Sequence, residues 1–261
     1  MGEGALGAAL RRDRSLVLAA LGIVVVLAWI YLVALAKAMA AMSAPSGWDA
    51  AMGLMPMGCW GALEYALGFA MWSLMMVGMM LPSAAPVILL HARVARRADA
   101  QGAPVAATAI FAAGYLVTWF AFSAVAAALQ GTLVGWALVA PTMGSASRAL
   151  AGGVLVVAGL YQLTPQKNAC LAHCRAPIAF LARHWRPGRL GALRMGAYHG
   201  AYCVGCCWAL MGVLFAVGVM NLGWIAAVAI IVLIEKTAPF GAWTARVIGL
   251  ALIAFGIATV A

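Results

Sequence analysis

Apolar residues in this chain come in long, nearly unbroken runs, without the strict alternation of half-buried strands or the narrow stripes of soluble helices. The runs lie at residues 15–36, 62–90, 104–129, 146–163, 193–219, 223–238 and 243–260. A helix needs ~20 such residues to cross the hydrocarbon of a bilayer. The pattern therefore predicts an all-α, polytopic transmembrane helix bundle of about seven spans, forming a single integral membrane domain over residues 1–261. The sixth run is short and reads as a tilted or partly interfacial segment.

Small and polar residues punctuate the runs. Gly68 and Gly78 in the second, and Gly152, Gly153 and Gly159 in the fourth, suit close helix–helix approach. Pro82 and Pro86 are expected to break or kink the second helix, freeing carbonyls that a neighbour must satisfy. Residues 130–145, with Pro141 and several glycines, read as a connector. Pro165 ends the fourth helix, and an interfacial amphipathic helix rich in Arg is expected just beyond it. The first run exceeds the length of a signal-peptide core, which favours a retained first span over cleavage near Ala44.

Composition agrees with the pattern: 67% of residues are hydrophobic, 8% are charged, and the mean hydropathy is +1.04. The formal charge of +10 raises nucleic acid as a partner. The basic residues, however, sit in short connectors without aromatic interleaving, so nucleic acid is excluded. With seven spans, Arg11, Arg12, Arg14, Arg93, Arg96, Arg97, Lys167, Arg175, Arg183, Arg186, Arg189, Arg194, Lys236 and Arg246 share one side. Lys37 and Arg148 fall on the other. The positive-inside rule then predicts a cytoplasmic N-terminus, an exported C-terminus and a multi-pass inner (plasma) membrane protein.

Candidate chemistry lies in two Cys/His segments. His199, Cys203, Cys206 and Cys207 in HGAYCVGCCW fall on one face if the segment is helical, and Cys170, His173 and Cys174 repeat the donors at helical spacing. Imidazole and thiolate are ligands that Cu(I) and Zn(II) favour. In the second run Met71, Met75 and Met79 form a stripe with Met76 and Met80 beside it, and Met39, Met42, Met52, Met55, Met57 and Cys59 crowd the loop before it. Thioethers are soft ligands as well as adaptable packing residues. On the topology above, both Cys/His segments share a leaflet with Glu235 and Lys236. A buried Glu235 would need Lys236, Lys167 or a ligand histidine as partner.

The stretches MWSLMMVGMMLPSAAP, GLYQLTPQKNACLAHCRAP, GAYHGAYCVGCCWALMGVLFAVGVMN and IEKTAPFG resemble a prokaryotic family described as predicted metal-binding integral membrane proteins, or domain of unknown function 2182. The resemblance covers residues 60–256. Its motif positions fall on Met71, Met75, Met79, Met80, Pro82, Cys170, His173, Cys174, His199, Cys203, Cys206, Cys207, Glu235 and Lys236. It implies metal binding and names no substrate, reaction or cofactor.

Ligand softness then favours a membrane protein that binds, transports or delivers Cu(I), with copper as the metal and zinc as the alternative. Zinc suits the Cys/His donors but has no use for thioethers. The expected partners are the metal ion and the lipid bilayer, with other membrane subunits or a second copy left open. Competing readings are an accessory subunit of a membrane metalloprotein complex and a membrane thiol–disulfide oxidoreductase using Cys203-x-x-Cys206 with Cys170 and Cys174. The redox reading leaves the histidines and methionines without a role. No nucleotide-binding motif appears, so the chain is not by itself an ATP-driven pump.

Overall fold

The computed structural model describes residues 3–42, 60–98, 104–136, 138 and 147–261. The loop methionines Met52, Met55 and Met57, and Cys59, lie outside these residues. The chain is all-α, 91% helical, with nine helices and no strand among the described residues. They are α1 (Glu3–Met42), α2 (Ala62–Ala98), α3 (Pro104–Gly135), α4 (Arg148–Gln162), α5 (Pro165–Arg175), α6 (Pro177–His184), α7 (Gly188–Val217), α8 (Leu222–Thr237) and α9 (Gly241–Val260).

Each of the seven apolar runs coincides with a helix, but five helices (α1, α2, α3, α7 and α9) are long and apolar enough to cross a membrane. The other two, α4 with 15 residues and α8 with 16, are shorter than a bilayer-spanning helix. Large apolar side chains such as Leu27, Leu63, Val125 and Leu250 are exposed, while Lys167, Glu235 and Lys236 are buried. That inversion of the soluble pattern suits a molecule whose outer surface meets hydrocarbon.

The long helix α2 runs through Pro82 and Pro86 without ending. The hydroxyls of Ser83 and Tyr115 both donate to the Met80 carbonyl just before the first of these prolines. Helix α3 continues past residue 129, where a connector was expected, because Gln130 is buried rather than exposed: its side-chain oxygen accepts from Trp72 Nε1 at 2.6 Å. At the opposite end of α2, Arg96 forms an ion pair with Asp13 of α1, tying two antiparallel helices at one end of the molecule.

The middle of the bundle is α7, which packs against α3, α4, α5 and α8. Gly196 and Gly200, spaced four apart, face α3, and a Cβ at Gly200 would lie 2.8 Å from Thr118 Oγ1. The missing side chains let the two backbones meet, as in small-xxx-small contacts between membrane helices. Gly152 and Gly159 likewise bring α4 against α9, whereas Gly153 faces open space. Between α4 and α7 the chain folds back through α5 and α6: α5 packs on α7, and Phe180 and His184 of α6 meet His199 and Tyr198 of α7. Thr164 caps α5 by accepting from the Lys167 amide, and Pro165 takes the first-turn position where its missing N–H costs nothing.

Candidate metal centre

Helix α7 presents His199, Cys203, Cys206 and Cys207, all buried, and α5 brings Cys170 and Cys174 against them. The two segments meet at Cys174 Sγ and Cys206 Sγ, 4.0 Å apart. Cys170 approaches at Gly205, where an added Cβ would lie 2.8 Å from its sulfur, so any larger residue there would push the Cys170 thiol aside. From α2, Met80 Sδ stands 4.0 Å from Cys207 Sγ. The other sequence-identified methionines, Met71, Met75 and Met79, are buried in the same apolar core. Three helices far apart in sequence thus deliver thiols and a thioether to one buried place.

All five described cysteines are free. The Cys206 and Cys207 thiols donate back to the Cys203 carbonyl, at 3.1 and 2.9 Å. Burial raises the pKa of the partly exposed Cys170 thiol, and the neighbouring Cys206 adds to the effect. The neighbouring Cys203 and Cys206 sulfurs, and then burial, push the Cys174 thiol well up. Among the described residues, no three His, Cys, Asp or Glu side chains already converge as a preformed ligand set. The thiols of Cys174, Cys206 and Cys207 meet one another, Met80 and the Cys203 carbonyl, and that of Cys203 meets side chains of α3 and α8.

Two histidines flank the cluster differently. His199 is buried beside Phe180, with ring centroids 5.0 Å apart, and its Nδ1 has no hydrogen-bond partner. A buried polar nitrogen without a partner is uncommon in a folded protein. His173 lies further out, stacked on Tyr202 at 4.0 Å, with Nδ1 against the Ala169 carbonyl.

The buried charged residues near the cluster fall into two arrangements. Glu235 accepts from Lys167 Nζ at 2.6 Å and from Gln162 Nε2 at 2.9 Å, and Lys167 also donates to the Gln162 oxygen. Of the partners expected for Glu235, the structure selects Lys167. Lys236, one residue on, faces another way: its ammonium donates to Cys203 Sγ at 2.8 Å and to Ser83 Oγ at 3.1 Å. The Tyr115 hydroxyl lies 3.0 Å from the same sulfur.

Ser83, Tyr115, Gln162 and Lys167 complete these contacts, yet only Lys167 was marked by the sequence. Tyr115 and Cys203 are 88 positions apart and Ser83 and Lys236 are 153 apart, so no local spacing joins them. A lone hydroxyl or amide inside an apolar run is the available signal, since such groups need partners in a low-dielectric interior.

A family model described as PpoB2, copper chaperone, matches residues 69–259. The chain belongs to this family. The match runs from the start of the methionine-rich part of α2 nearly to the end of α9, so it includes every helix that supplies a group to the cluster. It supports a copper-related family, and it does not by itself carry the finer family label that the motifs suggested. No curated protein and no solved structure matches the chain.

Proposed function

We propose that this protein is a multi-pass inner-membrane protein that binds Cu(I) within its helix bundle and hands it on. Its cargo site is the cluster of Cys174, Cys203, Cys206, Cys207 and Met80, with Cys170 and His199 at its edge. One observation carries the reading: thiols from α5 and α7 stand 4.0 Å apart in a buried site that a thioether also borders at 4.0 Å from Cys207. With metal–sulfur bonds of about 2.3 Å, two sulfurs on one ion lie roughly 3.8 Å apart at a tetrahedral angle and roughly 4.0 Å apart at a trigonal one. Rotation of Cys206 and Cys207 away from the Cys203 carbonyl would turn the gathered thiols into ligands. Cu(I), which accepts few and soft ligands, suits a site made of thiols and one thioether better than zinc does.

Lys236 adds a charge argument. Cu(I) held by two thiolates is a monoanion, which is costly to bury in an apolar bundle. The Lys236 ammonium beside Cys203 would offset that charge, and a divalent zinc ion on the same pair would instead leave a net positive site. The Lys/Arg asymmetry supports a seven-span arrangement with the N-terminus and this cluster on the cytoplasmic side, α4 and α8 being short or tilted spans. Such a protein would work as a membrane-embedded chaperone or carrier whose direction depends on its donor and acceptor.

Copper analysis of the purified protein, with and without Cys203, Cys206 and Cys207 changed to Ser, tests this reading. The wild-type chain should retain Cu(I) and the triple variant should lose it, while Met75→Leu with Met79→Leu leaves the copper in place. Equal copper in the wild type and the triple variant would remove the cluster from consideration. The proximity of Cys174 and Cys206 keeps a thiol–disulfide reading in view. An oxidant-dependent loss of two titratable thiols in metal-free membranes, with no copper bound, would favour it.

A further inference from the structure

An imidazole-lined cavity lies beside the thiol cluster, where α5 and α6 fold back. His173 of α5 and His184 of α6 line one cavity of about 230 Å³, together with Phe180 and Arg183. Each imidazole is held the same way: His173 Nδ1 meets the Ala169 carbonyl at 2.9 Å, and His184 Nδ1 meets the Phe180 carbonyl at 3.0 Å. A carbonyl can only accept, so both Nδ1 atoms carry the proton. In the neutral rings Nε2 is then left as a lone-pair donor, the arrangement seen in metal-ligating histidines. Phe180 closes the inner side of this space. Its ring stacks on His184 at 4.9 Å and meets the buried His199 edge-on at 5.0 Å. His199, with its unpartnered Nδ1, sits one helical turn before Cys203 on α7.

We infer that His173 and His184 form an outer imidazole site at which Cu(I) is exchanged between a carrier and the buried thiols, with Phe180 as the partition and His199 as the next donor inward. The inference rests on the cargo reading above and adds the site's mouth and the kind of donor that it meets. Imidazole is a competent but weaker soft-metal ligand than thiolate, so the ion would move toward stronger donors as it goes inward. Arg183 lines the same cavity, and Arg186 with Arg194 lines the adjoining one beside His184. Guanidinium groups repel a bare cation and attract an anion. The mouth therefore suits Cu(I) presented as an anionic thiolate complex, which docks on the arginines while the imidazoles transiently replace carrier thiolates one at a time, releasing them to solvent, before the buried thiols take the ion.

The test uses the full-length protein in lipid nanodiscs and the anionic Cu(I)–glutathione complex as donor. The variant His173→Asn with His184→Asn keeps an amide N–H for the carbonyl bond and removes the imidazole donor. Its loading should slow by roughly tenfold or more, the scale on which shells around a metal site act, while the final copper content stays at the wild-type value. An Arg183→Gln variant should lose most of the salt dependence of loading. Unchanged loading in the His variant, with Cys203, Cys206 and Cys207 still required for retention, overturns the mouth and leaves the cysteine site intact. If retention does not require those cysteines, the cargo reading fails instead. The outer site is then judged by whether the His variant loses the bound copper, which supports it, or keeps the copper, which overturns it.

Discussion

Two buried lysines, 69 residues apart, have been given opposite kinds of partner. Lys167 donates to the carboxylate of Glu235 and the amide of Gln162, so its charge is met by a full counter-charge and the remaining polar atoms are bonded. Lys236 has no carboxylate in its hydrogen bonds and donates to a sulfur and a hydroxyl. Glu235 and Lys236 are neighbours on α8, and consecutive helical residues point about 100° apart, so one helix serves both arrangements. The first is closed and ties α4, α5 and α8 together. In the second the counter-charge has to come from sulfur, from Cys203 as a thiolate with or without a metal on it.

The comparison breaks most severely at Glu235. Replacing it by Gln leaves Lys167 as a buried ammonium without its carboxylate, and removal of one partner from a buried pair costs about 3–5 kcal/mol. Thermal unfolding of Glu235→Gln in detergent should show a large loss of stability or a failure to accumulate. Restoring neutrality with Glu235→Gln and Lys167→Met together should recover most of it. A single variant as stable as the wild type would show that the pair is not buried in the folded protein.

Lys236 should behave in the opposite sense. Removing an ammonium that lacks a carboxylate relieves a desolvation cost, so Lys236→Met is expected to leave the metal-free protein about as stable as before, or more stable. The same change removes the counter-charge for a cuprous bis-thiolate, and Cu(I) affinity should fall roughly 10–100-fold, the range seen for groups that tune a metal site from outside its ligands. Competition against a chelator of known strength measures this directly. A destabilised protein with wild-type copper affinity would exchange the roles assigned to the two lysines.

These assignments also mark where sequence reasoning stops. Seven apolar runs were legible as helices because periodicity and length are local properties, and both Cys/His segments were legible because their donors repeat at helical spacing. The rotation of one helix against another is not local. It decides that Met80, rather than Met75 or Met79 in the more regular stripe, stands against Cys207. It likewise decides that Glu235 turns to Lys167 while Lys236 turns to Cys203. Gln130 was placed in a connector because Pro141 and several glycines follow it, and its bond to Trp72 shows a tertiary partner carrying the helix past that boundary. The place of His184 beside His173 was equally hidden, since their shared cavity exists only once α5 and α6 fold back beside each other.

The smallest effect is expected at Tyr115, and it isolates charge from hydrogen bonding at one sulfur. The Tyr115 hydroxyl lies 3.0 Å from Cys203 Sγ and 3.2 Å from the Met80 carbonyl, so it touches the sulfur that Lys236 touches, but as a neutral dipole. Its ring is buried between α2 and α7, and Phe at this position keeps the packing and removes one oxygen. A neutral hydrogen bond contributes about 1 kcal/mol, or roughly fivefold in an equilibrium constant. Tyr115→Phe should therefore weaken Cu(I) binding by no more than roughly fivefold, with a similarly small loss of stability as the Met80 carbonyl gives up one donor. The ratio between the Lys236→Met and Tyr115→Phe effects then reports how much of the second-lysine arrangement is Coulombic. Comparable losses in the two variants would mean that Lys236 acts only as one more hydrogen-bond donor, and the argument from buried charge would no longer distinguish it from Tyr115.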